Sequence, residues 1–286
     1  MLTIFSHRGI ELSKKKYIES TDRSFNDQIK NGFSLEFDIN FTKDNKIIIF
    51  HDSNLSRLTN NRDQRLISDL TLQEIRKSFS KKDKILTLKE ILDLTLASSC
   101  SLHALHLKGR FQHTHYLELL VRDLQKYRKY FDNLLIFDIS LSTAQYLKKK
   151  LKGIHLAPSV SHPYDIQRYN KFTGGTLIPI SSLPAYTKIC DWVWLDEWDT
   201  CGKKDTRKNL YTQKNFELLR KKGFKIAVIS PELHNASPGL LGGEKHPDGF
   251  NRKTVSARLL NILKLKPDAI CSDHGLLCRN VWKKLQ

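Results

Sequence analysis

The sequence predicts an α/β chain closing into a (β/α)8 barrel, with a small hairpin inserted after the second strand. Three observations carry this. Eight short apolar runs alternate with helix-like stretches from one end of the chain to the other. The length of 286 residues lies close to the ~250 typical of one such barrel. Polar and charged side chains sit where successive runs end: His7, Asp38, Lys108, Asp138, Asp196, Glu232 and Asp273. Barrels of this kind build their active sites at the C-terminal strand ends. The alternative, an open doubly wound sheet, calls for a glycine-rich phosphate loop in the first turn, and none is present. With no internal repeat and no low-complexity linker, residues 1–286 read as one domain.

The first strand is Thr3 to His7, followed by a polar loop from Glu11 to Thr21. Ser24 is placed to cap a short helix that stops before Gly32. Leu35 to Asn40 is the second strand, and a return run from Ile47 ends at His51. Arg57 to Asp69 is a polar connection. Thr71 with Glu74, and Thr87 with Glu90, are capping-box pairs that open helices through Ser78 and through Ala97. The third strand is Leu102 to Lys108, with Ala104, His106 and Lys108 on one face. A helix from His115 to Tyr130 carries Tyr116, Leu119, Leu120 and Leu124 at helical spacing. The fourth strand is Leu134 to Ile139, then a helix from Ser142 to Lys150. The fifth strand is Ile154 to Val160. Pro163 to Thr187 reads as irregular, part of it a candidate lid. The sixth strand is Trp192 to Leu195, and a helix from Lys214 to Lys222 stops at Gly223. The seventh strand is Phe224 to Ser230, followed by a long loop from Pro231 to Gly249 bearing Glu232 and His234. A helix spans Val255 to Leu263, the eighth strand is Ala269 to Ser272, and a helix from Leu276 to Leu285 follows.

Composition bounds the function. A hydrophobic fraction of 40% supports a packed core. No apolar run is long enough to span a bilayer, and the N-terminus lacks a signal-peptide pattern, so a cytoplasmic protein is expected. Cys100, Cys190, Cys201, Cys271 and Cys278 are scattered without Cys-x-x-Cys pairs, which argues against a disulfide framework or a zinc ribbon. The net charge of +18 comes from dispersed clusters: Lys14–Lys16, Lys81–Lys84, Lys148–Lys152 and Arg220–Lys222. They are not interleaved with stacking aromatics, so no specific nucleic-acid partner is expected. The charge favours anionic substrates and, as a further candidate partner, an anionic membrane surface.

Leu35 to Asp52 is the richest stretch. Along the strand, Glu36 and Asp38 share one face, while Leu35, Phe37 and Ile39 share the other. A polar turn (Thr42 to Lys46) brings the second run back, so that His51-Asp52 returns near the carboxylates. Paired carboxylates suit a divalent cation, and a histidine beside them suits proton transfer near neutral pH. Alone, Glu-x-Asp also fits the solvated face of an amphipathic hairpin.

The order of His7-Arg8-Gly9, Glu19-Ser20-Thr21, Glu36-Phe37-Asp38 and His51-Asp52 resembles the glycerophosphodiester phosphodiesterase family, whose pattern is strand-His-Arg-Gly, Glu-Asn-Thr, Glu-x-Asp and His-Asp. The sharp similarity covers about the first fifth of the chain, and the remainder agrees in strand order. The resemblance implies a metal-dependent phosphoric diester hydrolase. His7 and His51 would be general acid and base, Arg8 and Lys108 would hold the phosphate, and Glu36 and Asp38 would bind the cation, magnesium or calcium in the family. The expected products are an alcohol and a phosphomonoester.

Two places depart from that pattern. The third strand of the family ends Glu-x-Lys, with the Glu as a metal ligand, whereas here His106 precedes Lys108. His106 can ligate the metal and shift preference toward manganese or zinc. Alternatively, Asp138 or Glu232 supplies the missing carboxylate, or metal binding is weakened and the protein is a non-catalytic binder of phosphorylated ligands. The family's Trp-Thr-x-Asn after the seventh strand is replaced by Ile229-Ser230-Pro231-Glu232, which leaves the leaving alcohol open. A lysophospholipid or a surface polymer is then a further candidate substrate. Trp192, Trp194 and Trp198 read as packing residues or as a substrate wall. His113-Thr114-His115 reads as a helix start.

Overall fold

The computed structural model describes residues 2–13, 17–197, 210–233, 247–249 and 251–286. Ten strands form its sheet: β1 (Thr3–His7), β2 (Ser34–Phe41), β3 (Ile47–Ile49), β4 (His103–His106), β5 (Leu134–Phe137), β6 (His155–Ala157), β7 (Ser159–Val160), β8 (Trp192–Leu195), β9 (Lys225–Ile229) and β10 (Ala269–Ser272). Nine run parallel in the order β6-β5-β4-β2-β1-β10-β9-β8-β7, and β3 pairs antiparallel with β2. The two ends of that path, β6 and β7, are one stretch of chain interrupted at Pro158. A proline has no N–H to give a ladder, while its carbonyl accepts from Trp194 N at 3.0 Å. The expected fifth strand is therefore split in two, and the sheet closes through it into the expected barrel.

Strand alternation sorts the core into two layers. Inside the barrel, Phe5, Leu135, Phe137, Trp192 and Trp194 pack with Ala104, Ala157, Ala227 and Ala269. Large and small residues packed together fill the barrel interior. Outside, Leu35, Phe37, Ile39, Leu105 and Leu107 join the cluster that buries the helices. The inserted hairpin has its own apolar cluster, including Ile48, Phe50, Leu55, Ile67, Leu70 and Ile75.

The capping boxes at Thr71/Glu74 and Thr87/Glu90 are present as expected. The first helix, Asp22–Lys30, is capped one turn earlier than expected. Thr21 is its N-cap, and Ser24 answers from the N3 position of the same box. His113 is the N-cap residue of the helix Thr114–Leu124, which continues as a 3-10 segment to Asn133 with a break at Tyr127. The segment after Pro163, expected to be irregular, forms a helix over Pro163–Thr173 and a 3-10 segment over Ile180–Tyr186. Proline is pre-organised for a first helical position, and glycines stop a helix. Gly174-Gly175 directly after the last turn is that signal.

One close approach ties this segment to the barrel. A Cβ on Gly109 would lie 2.2 Å from the Gly174 carbonyl oxygen and 3.3 Å from Thr176 Cγ2. Gly109→Ala must therefore push a backbone aside, and it should lower unfolding stability by about 1–3 kcal/mol. Urea denaturation reads this directly, and an unchanged midpoint would contradict the packing described.

Candidate active site at the barrel mouth

The site is assembled by the C-terminal ends of β1, β2, β4, β5 and β10 and by the hairpin return. Glu36 and Asp38 are only 2% and 0% exposed, so the solvated-hairpin alternative does not hold. They face inward with His7 and His106 because β2 registers His7 against Glu36 and Asp38 against His106. The hairpin delivers His51: Ile39 pairs with Ile49, and Phe50 N donates to Asp38 O at 3.0 Å.

The turn after β1 explains its residues. Arg8 has φ +52° and Gly9 has φ +74°. A Cβ on Gly9 would fall 2.8 Å from Ser24 Oγ, so the position needs glycine twice over. Arg8 N donates to Glu36 O at 3.0 Å, and Ser20 N donates to Arg8 O at 2.8 Å. Ser20 is itself left-handed at φ +57°, a conformation that asparagine tolerates better than serine.

The turn aims Arg8 at two acids. Its Nε lies 3.1 Å from Asp38 Oδ2, at ion-pair distance but without hydrogen-bond alignment, and its Nη1 donates to Glu19 Oε1 at 3.3 Å. Arg57 donates to Glu19 Oε1 at 2.6 Å and, through Nε, to Asp52 Oδ2 at 2.7 Å. Burial alone would raise the Glu19 pKa, but the hydrogen bond and charge of Arg57 and the charge of Arg8 bring it down to about 2. Because the folded value lies below the ordinary 4.5, this contribution is fully present above pH 4.5 and is lost as pH falls toward 2. At full strength it is on the order of 3 kcal/mol. Wild type and Glu19→Gln should differ in urea stability at pH 6, and the gap should narrow by pH 3. A gap independent of pH would contradict the pairing.

Both candidate proton-transfer histidines are held by an aspartate side chain at Nδ1. His7 Nδ1 lies 2.8 Å from Asp273 Oδ1, and His51 Nδ1 lies 2.6 Å from Asp52 Oδ1. His7 Nε2 lies 4.0 Å from Glu36 Oε2. Burial, reinforced by the charge of Arg8, lowers His7 to about 4 and His51 to about 3, so both imidazoles are neutral at pH 7. Burial raises Asp273 to about 8.

The two β2 carboxylates are driven apart. Burial and the neighbouring Asp38 charge raise Glu36. Burial opposes ionisation of Asp38 too, but Lys108, His51, Arg8 and His106 overcome it and hold Asp38 well below the usual range. Lys108 Nζ lies 3.4 Å from Asp38 Oδ1 and donates to the His51 carbonyl oxygen. Burial lowers the Lys108 ammonium to about 8.

His106 is the centre of the network. Its Nδ1 lies 2.9 Å from Asp38 Oδ1, and its Nε2 lies 3.0 Å from Asp138 Oδ2. Burial would lower its pKa, but hydrogen bonds to both carboxylates lift it to about 9. In this arrangement the ring bridges two acids.

Donor atoms of Glu36, Asp38 and His106 lie within 4.8 Å of one another. Glu36 Oε2 and Asp38 Oδ2 are buried and accept no hydrogen bond. Glu36 Oε2, and Asp38 Oδ2 with only its ion pair to Arg8, beside an imidazole nitrogen fit a divalent cation. Among the described residues the grouping includes neither of the alternative carboxylates. Asp138 stands behind His106, and Glu232 Oε1 accepts from Ser230 Oγ, Ser272 Oγ and Asp273 N.

A pocket opens between this polar wall and an apolar one made by Phe137, Tyr169, Leu177, Trp194, Ile229 and Leu233. His7, Arg8, Glu36, His51, His106 and Asp138 line the polar side. Trp194 stacks on Phe137 at 3.8 Å, and Phe137 on His106 at 4.7 Å. Trp192 lies inside the barrel away from the pocket lining. Trp198 and His234 fall outside the described residues. Arg57, Asp52 and Thr176 support the site without having been marked as site residues by sequence. Asp52 had the one available signal, its place directly after His51.

Paired imidazoles, an arginine, a lysine and inward carboxylates at the mouth of a parallel barrel define a phosphodiester hydrolase. Residues 7–168 match the Glycerophosphoryl diester phosphodiesterase family, and the chain belongs to it. A glycerophosphodiester phosphodiesterase of Bacillus altitudinis is 27% identical over 166 residues, a match spanning 55% of this chain and 66% of that protein. Solved structures of a glycerophosphoryl diester phosphodiesterase from Parabacteroides distasonis and of a phosphodiesterase from Oleispira antarctica share the fold. The first has a TM-score of 0.67 at 17% identity, covering 100% of this chain and 87% of its own. The second, solved with the product sn-glycerol-3-phosphate, has a TM-score of 0.63 at 17% identity, covering 98% and 96%. No helix among the described residues is long and apolar enough to cross a membrane.

Proposed function

We propose that this chain, as one catalytic unit over residues 1–286, hydrolyses glycerophosphodiester-like substrates in a divalent-cation-dependent reaction. The observation that carries the reading is that His7, His51, Arg8 and Glu36 line one pocket. Arg8 and Lys108 bind the non-bridging phosphoryl oxygens and offset the charge that builds there. Glu36, Asp38 and His106 would hold the cation, which supplies further charge neutralisation at the phosphorus when bound. One imidazole takes the proton of the attacking hydroxyl or water. The other returns a proton to the departing alkoxide as the P–O bond breaks. Each has its Nδ1 held by an aspartate side chain, which leaves Nε2 for the substrate. An anionic diester beside a neutral imidazole raises that ring's pKa and helps it carry the acid's proton.

The apolar wall opposite admits a leaving alcohol with a carbon-rich face. The product named for the Oleispira antarctica relative supports glycerol 3-phosphate as the phosphomonoester. The basic surface supports approach to anionic lipid.

A second reading, a binder without turnover, is favoured by the engagement of both His106 nitrogens with acids. Turnover of bis(p-nitrophenyl) phosphate separates the two. Metal-free protein should be inactive and should regain activity with added manganese, zinc, magnesium or calcium. Calorimetric binding of glycerol 3-phosphate with no turnover under any of them would favour the binder.

A further inference from the structure

We propose that Asp138 is a positioning residue that presents His106 Nδ1 to the cation and so makes the centre prefer borderline ions, manganese and zinc, over magnesium and calcium. This rests on the cation site of the reading above and concerns what sets its third donor.

Asp138 directly follows β5, is only 2% exposed, and is held at φ +59°. Its carboxylate is anchored from behind. Thr176 donates to Oδ1 from both its backbone N and its Oγ1, each at 2.9 Å. Gln112 Nε2 fixes the Asp138 carbonyl oxygen at 2.6 Å. Only Oδ2 is left for His106, and it meets Nε2 at 3.0 Å. The imidazole is also clamped flat against Phe137, with ring planes 14° apart.

The chemistry follows from that anchoring. A carboxylate accepts and does not donate, so His106 Nε2 must carry a hydrogen. The neutral ring that binds a metal then has its lone pair on Nδ1, the atom that faces Asp38. Nδ1 lies 2.9 Å from Asp38 Oδ1, so one ion would be within reach of both atoms. A nitrogen donor where the family pattern has a carboxylate shifts preference from hard to borderline cations.

The same anchoring makes one conservative substitution informative. In Asp138→Asn, Thr176 still needs an acceptor at the Oδ1 position. The amide nitrogen must then take the place of Oδ2 and donate to His106 Nε2. That moves the ring hydrogen to Nδ1 and blocks the donor atom.

The test is calorimetry on the metal-free full chain, without substrate, using each of the four chlorides at one pH. Wild type should bind manganese and zinc more tightly than magnesium and calcium. Asp138→Asn should weaken manganese binding by about 10–100-fold. His106→Glu should reverse the preference toward magnesium and calcium, and adding Asp138→Asn to it should change affinity little. Manganese electron spin-echo spectra should show a directly bound nitrogen in wild type and none in His106→Glu. If Asp138→Asn does not fold, Thr176→Val, which keeps the backbone donor, should weaken manganese binding by a smaller factor. Binding of none of the four ions overturns the proposal. So does an Asp138→Asn effect that is absent in wild type, or equal in the His106→Glu background. Because no substrate is present, a protein that binds as expected yet hydrolyses nothing refutes the hydrolase reading alone.

Discussion

Replacing His51 by alanine should lower kcat by about 10²–10⁴-fold while leaving KM and the unfolding midpoint close to wild type. The fold is spared for local reasons. The Lys108 ammonium bonds the backbone oxygen of His51, which alanine keeps. Asp52 retains Arg57. His7→Ala should cost as much rate but more stability, since it leaves the buried Asp273 carboxyl without its ring partner. Comparing the two variants on different esters assigns their roles. A nitrophenolate leaves without help from an acid, whereas an alkoxide does not. The variant lacking the general acid should therefore recover most of its rate on the nitrophenyl ester, and the variant lacking the base should not. Equal losses on both esters for both variants would refute an acid–base pair.

Glu36→Gln carries the second large effect, and its two readouts move in opposite directions. In the metal-free protein, burial and Asp38 both act against the Glu36 charge, and Glu36 Oε2 accepts no hydrogen bond. Removing that charge should leave the thermal midpoint of the metal-free protein unchanged or raise it. The same change deletes a cation ligand, so activity with added metal should fall by at least about 10²–10³-fold, with a matching loss of metal affinity. Paired carboxylates kept buried against their own repulsion are the mark of a site that a cation stabilises. A variant both less stable and fully active would mean that Glu36 serves the fold instead.

Much of this was legible in the sequence because period-two alternation decides which side chains share a face. Alternation puts Glu36 with Asp38, and His106 with Lys108. The hairpin return placed His51. β1, β8 and β10 have the bounds read from their apolar runs. What escaped depends on closure. Asp273 reaches His7 only because β10 pairs with β1, and 266 positions separate the two residues. The roles of Arg57 and Thr176 come from loops folding back over the mouth, which no periodicity encodes. The break at Pro158 was readable from the missing donor, but a short apolar run hides it. By sequence Asp138 is a rival ligand to His106; its place behind the ring follows from strand register and from the Thr176 anchor.

The most direct test is phosphorus NMR of the full chain incubated with a glycerophosphodiester, with chelator and then with each divalent cation in turn. The expected result is no reaction under chelation. With a cation present, glycerol 3-phosphate and free alcohol should appear, and this should be abolished in the His7→Ala/His51→Ala double variant. Turnover that ignores the chelator, or that survives loss of both imidazoles, would show that some other chemistry operates at the barrel mouth.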